Sequence, residues 1–188
     1  MVDRLLAELG YWTHPVLAQI SFPGSHQANL VEIDGQRYLV DVGNGAPFVE
    51  PIPIDGESFV RHAGLAYRFR PAPDGDVWLQ ERWLDGTWEP FCRYILPEPD
   101  PLERETAYQR HHTLGQSWVV DSLVLVVSSV DEVWALRDAQ LRHFTVDGKS
   151  AEQLSATTDY AALAASIFGL PNLPIEAART VLSSRSGS

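Results

Sequence analysis

Residues 25–45, SHQANLVEIDGQRYLVDVGNG, set Asp34-Gly35 between two runs of alternating side chains. Few dipeptides constrain a chain so strongly: both turn positions tolerate φ > 0, and the flanking runs then pair as a hairpin. With Asp34 and Gly35 as the loop, Ile33 faces Gln36, Ala28 faces Asp41 and His26 faces Gly43. Asp41 is thereby the diagonal neighbour of His26 on one face of the ribbon, at a distance of roughly 7–8 Å along the backbone. An imidazole and a carboxylate so placed can hydrogen-bond, the carboxylate fixing the ring's tautomer and favouring its charged form. A register shifted by one residue would put them on opposite faces. A His and an Asp on one ribbon also occur as an ordinary surface or capping pair, so the chemistry needs support from elsewhere.

At 188 residues, with 45% hydrophobic and 10% aromatic side chains, the chain can bury a core as one domain or two small ones. Its net charge of −11 argues against nucleic acid or an anionic membrane as a partner, since either selects clustered Lys and Arg. Lys149 is the only lysine, but thirteen arginines leave room for a local basic patch that could seat a phosphorylated cofactor. No apolar stretch reaches the roughly 18 residues of a membrane span, and the first fifteen residues lack the pattern of a secretory leader. One cysteine, Cys92, allows no intramolecular disulfide, and a reducing cytoplasm is the expected location.

Residues 2–9 have helical periodicity, with Val2, Leu5, Leu6 and Leu9 on one face and Gly10 as the stop. That apolar face is expected to be covered by a second copy or another chain. Residues 16–20 read as a short strand and residues 67–96 as a β-meander with turns at 71–76 and at Asp85-Gly86, which suggests a small barrel or sandwich. Residues 97–105 are a proline-rich acidic connection. His111 and His112, read as strand neighbours, point to opposite sides, so no metal site is expected. Three further strands follow at 123–127, 133–137 and 141–146, then a helix capped by Thr158 or Asp159 and running to Phe168, and a last helix from Pro174 through Val181.

Several of these stretches resemble arylamine N-acetyltransferases. That family carries a His near the start of one strand and an Asp in a D-V-G-F-G motif on the next; here His26 precedes Asp41-Val42-Gly43-Asn44-Gly45 by the same interval of fifteen residues. Leu5-Leu6-Ala7-Glu8-Leu9-Gly10-Tyr11 is similar to the end of the family helix headed by R-G-G-x-C-F-E, and Phe168-Gly169-Leu170 to its closing F-G-L. The resemblance implies a mainly β fold with α: an antiparallel β-barrel followed by an α/β lid, a cysteine-protease-like superfold without its N-terminal helical bundle. Residues 1–10 would be a remnant of that bundle, 11–100 the barrel, 101–182 the lid and 183–188 a disordered tail.

The resemblance further implies acetyl transfer from acetyl-CoA to arylamines or hydrazines by a Cys-His-Asp triad. His26 and Asp41 would supply two members, and Ser25, Asn44 and Gly45 would line the acyl-CoA and acceptor pocket. Asn44 stands where bacterial members usually have phenylalanine, which changes the wall offered to an aromatic amine. Counting back, the family's cysteine falls a few residues before Met1; Cys92 sits at a strand position usually aromatic and reads as packing. Three readings stay open. The chain is an arylamine N-acetyltransferase or amide synthase-like relative short of its cysteine, or a catalytically inactive module that binds CoA or a protein, or an enzyme that has recruited Cys92.

Overall fold

The structure is a computed structural model of the chain and describes residues 2–43, 48–73 and 75–185. A short helix α1 (Val2–Glu8) leads into β1 (Trp12–Gln19), β2 (His26–Ile33) and β3 (Gln36–Val40). Asp34 and Gly35 adopt φ of 54° and 77°, the left-handed pair that lets a two-residue turn match the twist of its strands. The register follows, with Ile33 paired to Gln36 and Asn29 to Val40. After β4 (Ile52–Pro53) come β5 (Ser58–His62) and β6 (Leu65–Pro71), joined by another left-handed pair, Ala63-Gly64, and then β7 (Val77–Leu84) and β8 (Thr87–Ile95). The strands form one antiparallel sheet in the order β4-β3-β2-β1-β8-β7-β6-β5, curled into a nearly closed barrel. Alternate side chains fill it, with Val16, Leu30, Leu39, Phe69 and Tyr94 at its centre.

The second part of the chain builds a smaller sheet from β9 (Val124–Ser128), β10 (Glu132–Arg137), β11 (Gln140–Thr145) and β12 (Gly148–Gln153). Helices α4 (Tyr160–Ser166) and α5 (Ile175–Arg185) bury Tyr160, Ala164 and Ile175 against Leu136 and Leu141. This sheet touches the barrel where His62 Nε2–H donates to the Ser129 carbonyl, and where Gly64 meets the Thr145 carbonyl so closely that a Cβ has no room. Among the described residues no helix is long and apolar enough to cross a membrane.

Several elements differ from expectation. The stretch read as a connection over 97–105 becomes a helix from Pro101: α2 (Pro101–His112) starts at the Asp100 cap, whose carboxylate accepts the Leu102 N–H, with Pro101 in the first turn. It buries none of its residues, so no apolar stripe announced it. His111 and His112 are therefore helical neighbours, not strand neighbours. Strand β5, the four-residue helix α3 (Trp118–Asp121) and the wholly exposed strand β12 are additional; α4 stops at Ser166, and α5 continues to Arg185, into the stretch read as tail. Asp74, in the expected 71–76 turn, lies outside the described residues, as do 186–188.

Candidate active site

The site lies where β1, β2 and β8 run side by side. Ala18 on β1 pairs with His26 on one flank and with Tyr94 on the other, so one row across three strands reads His26, Ala18, Tyr94. The methyl side chain of Ala18, fully buried, leaves the two rings 6.5 Å apart between centroids. Asp41, which directly follows β3, brings its carboxylate into that row. Its Oδ2 accepts from His26 Nε2 at 2.8 Å and from the Tyr94 hydroxyl at 2.8 Å, while Oδ1 accepts the Gly43 backbone N–H at 3.1 Å. The Asp41 side chain is fully buried, and that of His26 keeps 11% of its exposure. A buried carboxylate with three donors keeps its charge compensated without solvent.

Because His26 turns Nε2 to Asp41, the proton of the neutral ring sits there and Nδ1 is left with its lone pair. Nδ1 is thus the nitrogen that can take a proton from an approaching nucleophile. Gly43 lets the ring lie close: a Cβ there would stand 3.3 Å from His26 Cε1. Behind the carboxylate, the Tyr94 hydroxyl also lies 2.8 Å from Gln80 Oε1. One hydroxyl proton serves one acceptor best, and the carboxylate is the stronger of the two. Burial, with the Asp41 charge beside it, pushes the Tyr94 phenol well above its ordinary value, so it remains a donor.

Ser25 is buried, and its hydroxyl oxygen is occupied by the turn before β2, accepting backbone N–H groups from Ile20, Ser21 and Phe22 at 2.9, 3.1 and 3.4 Å. Its visible work is to lock the loop that delivers His26. Asn44 and Gly45 lie outside the described residues. Cys92 faces the barrel interior, is 3% exposed, and burial pushes its thiol up to about 12. A thiol so held is not a thiolate near neutral pH, in keeping with packing and against recruitment as a nucleophile. No group of three or more His, Cys, Asp or Glu able to hold a metal occurs among the described residues.

Tyr94 and Gln80 are the site residues that the sequence reading missed. A signal existed: in the alternation of β7 and β8, Gln80 and Tyr94 fall on the inward positions shared by Trp78 and Cys92, where a polar group must find a buried partner.

A family model described as N-acetyltransferase matches residues 1–175. The chain belongs to the arylamine N-acetyltransferase family. Its fold agrees with solved members. The arylamine N-acetyltransferase from Mycobacterium abscessus superposes with a TM-score of 0.80 at 20% identity, over 98% of this chain and 69% of that one. The enzyme from M. tuberculosis gives 0.80 at 21%, over 98% and 72%, and that of Mycobacterium marinum in complex with CoA gives 0.79 at 20%, over 98% and 71%. At these identities the superpositions speak for the fold alone, the cysteine-protease-like arrangement of barrel and lid. No curated protein sequence matches.

Proposed function

We propose that this arylamine N-acetyltransferase family member carries the imidazole and carboxylate of an acetyl-transfer triad, with acetyl-CoA as donor and an arylamine or hydrazine as acceptor. The observation that carries the reading is the buried His26–Asp41 hydrogen bond of 2.8 Å, with no hydrogen bond to Nδ1 among the described residues. In the reaction, a cysteine thiol gives its proton to His26 Nδ1 and the thiolate attacks the thioester carbonyl. The tetrahedral intermediate collapses with departure of the CoA thiolate, which takes that proton. The acceptor amine then attacks the acetyl-cysteine, His26 receives the amine's proton, and the enzyme thiolate leaves. Asp41 holds the ring and offsets its transient positive charge, and the Tyr94 hydroxyl and Gly43 N–H hold Asp41. Ser25, Asn44 and Gly45 border the pocket in this reading.

The nucleophile is not among the 188 residues, whose one cysteine is the buried Cys92. That observation favours a second reading for the chain by itself, a CoA- or protein-binding module without turnover, or a partner that completes the triad. The test is to fuse a family helical segment bearing R-G-G-x-C-F-E ahead of Met1 and to follow CoA release in the presence of an arylamine. The chain alone is expected to be inert and the fusion active, with His26→Gln and Asp41→Asn each abolishing turnover. Turnover by the fusion that survives His26→Gln overturns the assignment.

A further inference from the structure

The lid sheet carries a cleft that contains none of the residues assigned to acetyl transfer. Helix α4 packs Tyr160 and Ala164 on Leu136 and Leu141 but ends at Ser166, and Gly169, at φ 68°, turns the chain away. Beyond that end the sheet continues. One row across it reads Val127, Trp134, His143, and Glu132 stands two residues before Trp134 on the same face. A cleft of about 330 Å³ opens there, lined by Val127, Ser129, Glu132, Trp134, Ser166 and Ile167. That volume lies at the small end of the range for ligand pockets.

The walls of the cleft divide by chemistry. Val127, Trp134 and Ile167 give part of their surface to the lid core and part to the cleft. His143 stacks flat on one face of the indole, 3.7 Å between centroids, so the cleft meets the ring from the β9 side. Among the described residues that line it, Glu132 is the one charged side chain. Its two partners, Trp134 Nε1–H and His143 Nε2, both reach Oε2, at 3.1 and 2.7 Å, and among the described residues no donor reaches Oε1. The serines are engaged locally: Ser129 Oγ accepts the Asp131 and Glu132 N–H groups, and Ser166 Oγ donates to the Leu163 carbonyl. A carboxylate with a spare oxygen, beside an indole and two branched aliphatic side chains, suits an ammonium group on an apolar body. The net charge of −11 favours such a cation and repels an anion. A surface ion pair with His143 accounts for Oε2, but not for an apolar, indole-walled cleft beside the same carboxylate.

We propose that this cleft binds a small organic cation, a primary ammonium group on a short apolar body, with Glu132 as its counter-ion and Trp134 as its wall. The site needs neither His26, Asp41 nor acyl-CoA, so it stands or falls apart from acetyl transfer. The test is an NMR titration of the full chain with phenethylammonium chloride, followed at the Trp134 indole N–H and at the Ser166 and Ile167 amides. Saturable shifts centred on these signals are expected, with a Kd in the millimolar range for so small a ligand. Phenethyl alcohol, of the same shape without the charge, is expected to bind at least about tenfold more weakly, as is the ammonium ion to Glu132→Gln. The carboxylate of Glu132 is half-exposed, so this variant should keep the wild-type amide spectrum away from the lid sheet. Glu152→Gln, on the exposed strand β12, is the control and is expected to match the wild type. Equal binding of the alcohol and the ammonium ion overturns the proposal. So does an affinity that Glu132→Gln leaves unchanged, and so does the lack of any saturable shift at Trp134.

Discussion

Two histidine–carboxylate pairs of almost equal length stand in the two halves of this molecule. In the barrel, His26 Nε2 lies 2.8 Å from Asp41; in the lid sheet, His143 Nε2 lies 2.7 Å from Glu132. Distance does not separate them, but burial does. The Asp41 side chain is fully buried and that of Glu132 is 45% exposed. Asp41 is held by Tyr94 and Gly43 from two other directions, whereas Glu132 Oε2 takes its second hydrogen bond from Trp134, two residues along its own strand. His143 stacks flat on Trp134, 3.7 Å between centroids, directly across the ladder. The lid pair is thus a cross-strand surface contact. The barrel pair is held in place from several strands, and that is what distinguishes a fixed imidazole–carboxylate contact from a surface salt bridge.

The largest expected difference between them is in stability. Asp41→Ala takes the carboxylate away from the His26 ring and the Gly43 N–H and turns the Tyr94 hydroxyl to Gln80 Oε1, at an expected cost of about 3 kcal/mol. Glu132→Ala should cost no more than about 1 kcal/mol, because water replaces an exposed partner. Equal shifts of the urea midpoint would break the comparison. Next comes Ala18→Leu, which forces bulk into the gap between the His26 and Tyr94 rings: a loss of about 2 kcal/mol, with the His26 imidazole NMR signals displaced and those of His143 unmoved. Gly64→Ala strains a backbone at φ 76° and drives a Cβ into the Thr145 carbonyl, with an expected cost of more than about 1 kcal/mol. Gly43→Ala is not forced through a left-handed φ and should disturb the His26 ring more than the fold.

The smallest effect is seen only in alkali. The folded Cys92 thiol keeps its proton up to about 12, against an ordinary value of 9.0, and the Tyr67 phenol likewise up to about 12 against 10.0. The unfolded chain loses these protons first, so their contribution is intact below pH 9 and declines as the pH climbs toward 12. Cys92→Ala should therefore flatten the fall of stability between pH 9 and 11. At pH 8 the wild-type thiol should react with an aromatic disulfide only as fast as the protein opens. Rapid labelling of the folded protein would contradict the burial assigned to it.

Local signals carried much of this fold. Asp34-Gly35 and Asp85-Gly86 hold left-handed φ pairs, and their hairpins have the register that those turns require. Other elements were silent for physical reasons. The strand β12 is exposed along its whole length and shows no alternation, and α2 buries no residue, so neither leaves an apolar period to read. Ser25 could be placed beside His26 by sequence, but the three N–H groups that converge on its oxygen come from a turn closed in space.

The hairpin by itself determined that His26 and Asp41 share a face, because a two-residue turn fixes which side chains are neighbours a few rungs away. Only the tertiary structure decided that the pair is buried and backed by Tyr94, 53 residues beyond Asp41. Strand order across β2, β1 and β8 made that contact, and strand order is set by packing the whole barrel, which no local pattern encodes. The same closure buried Cys92 and raised its thiol.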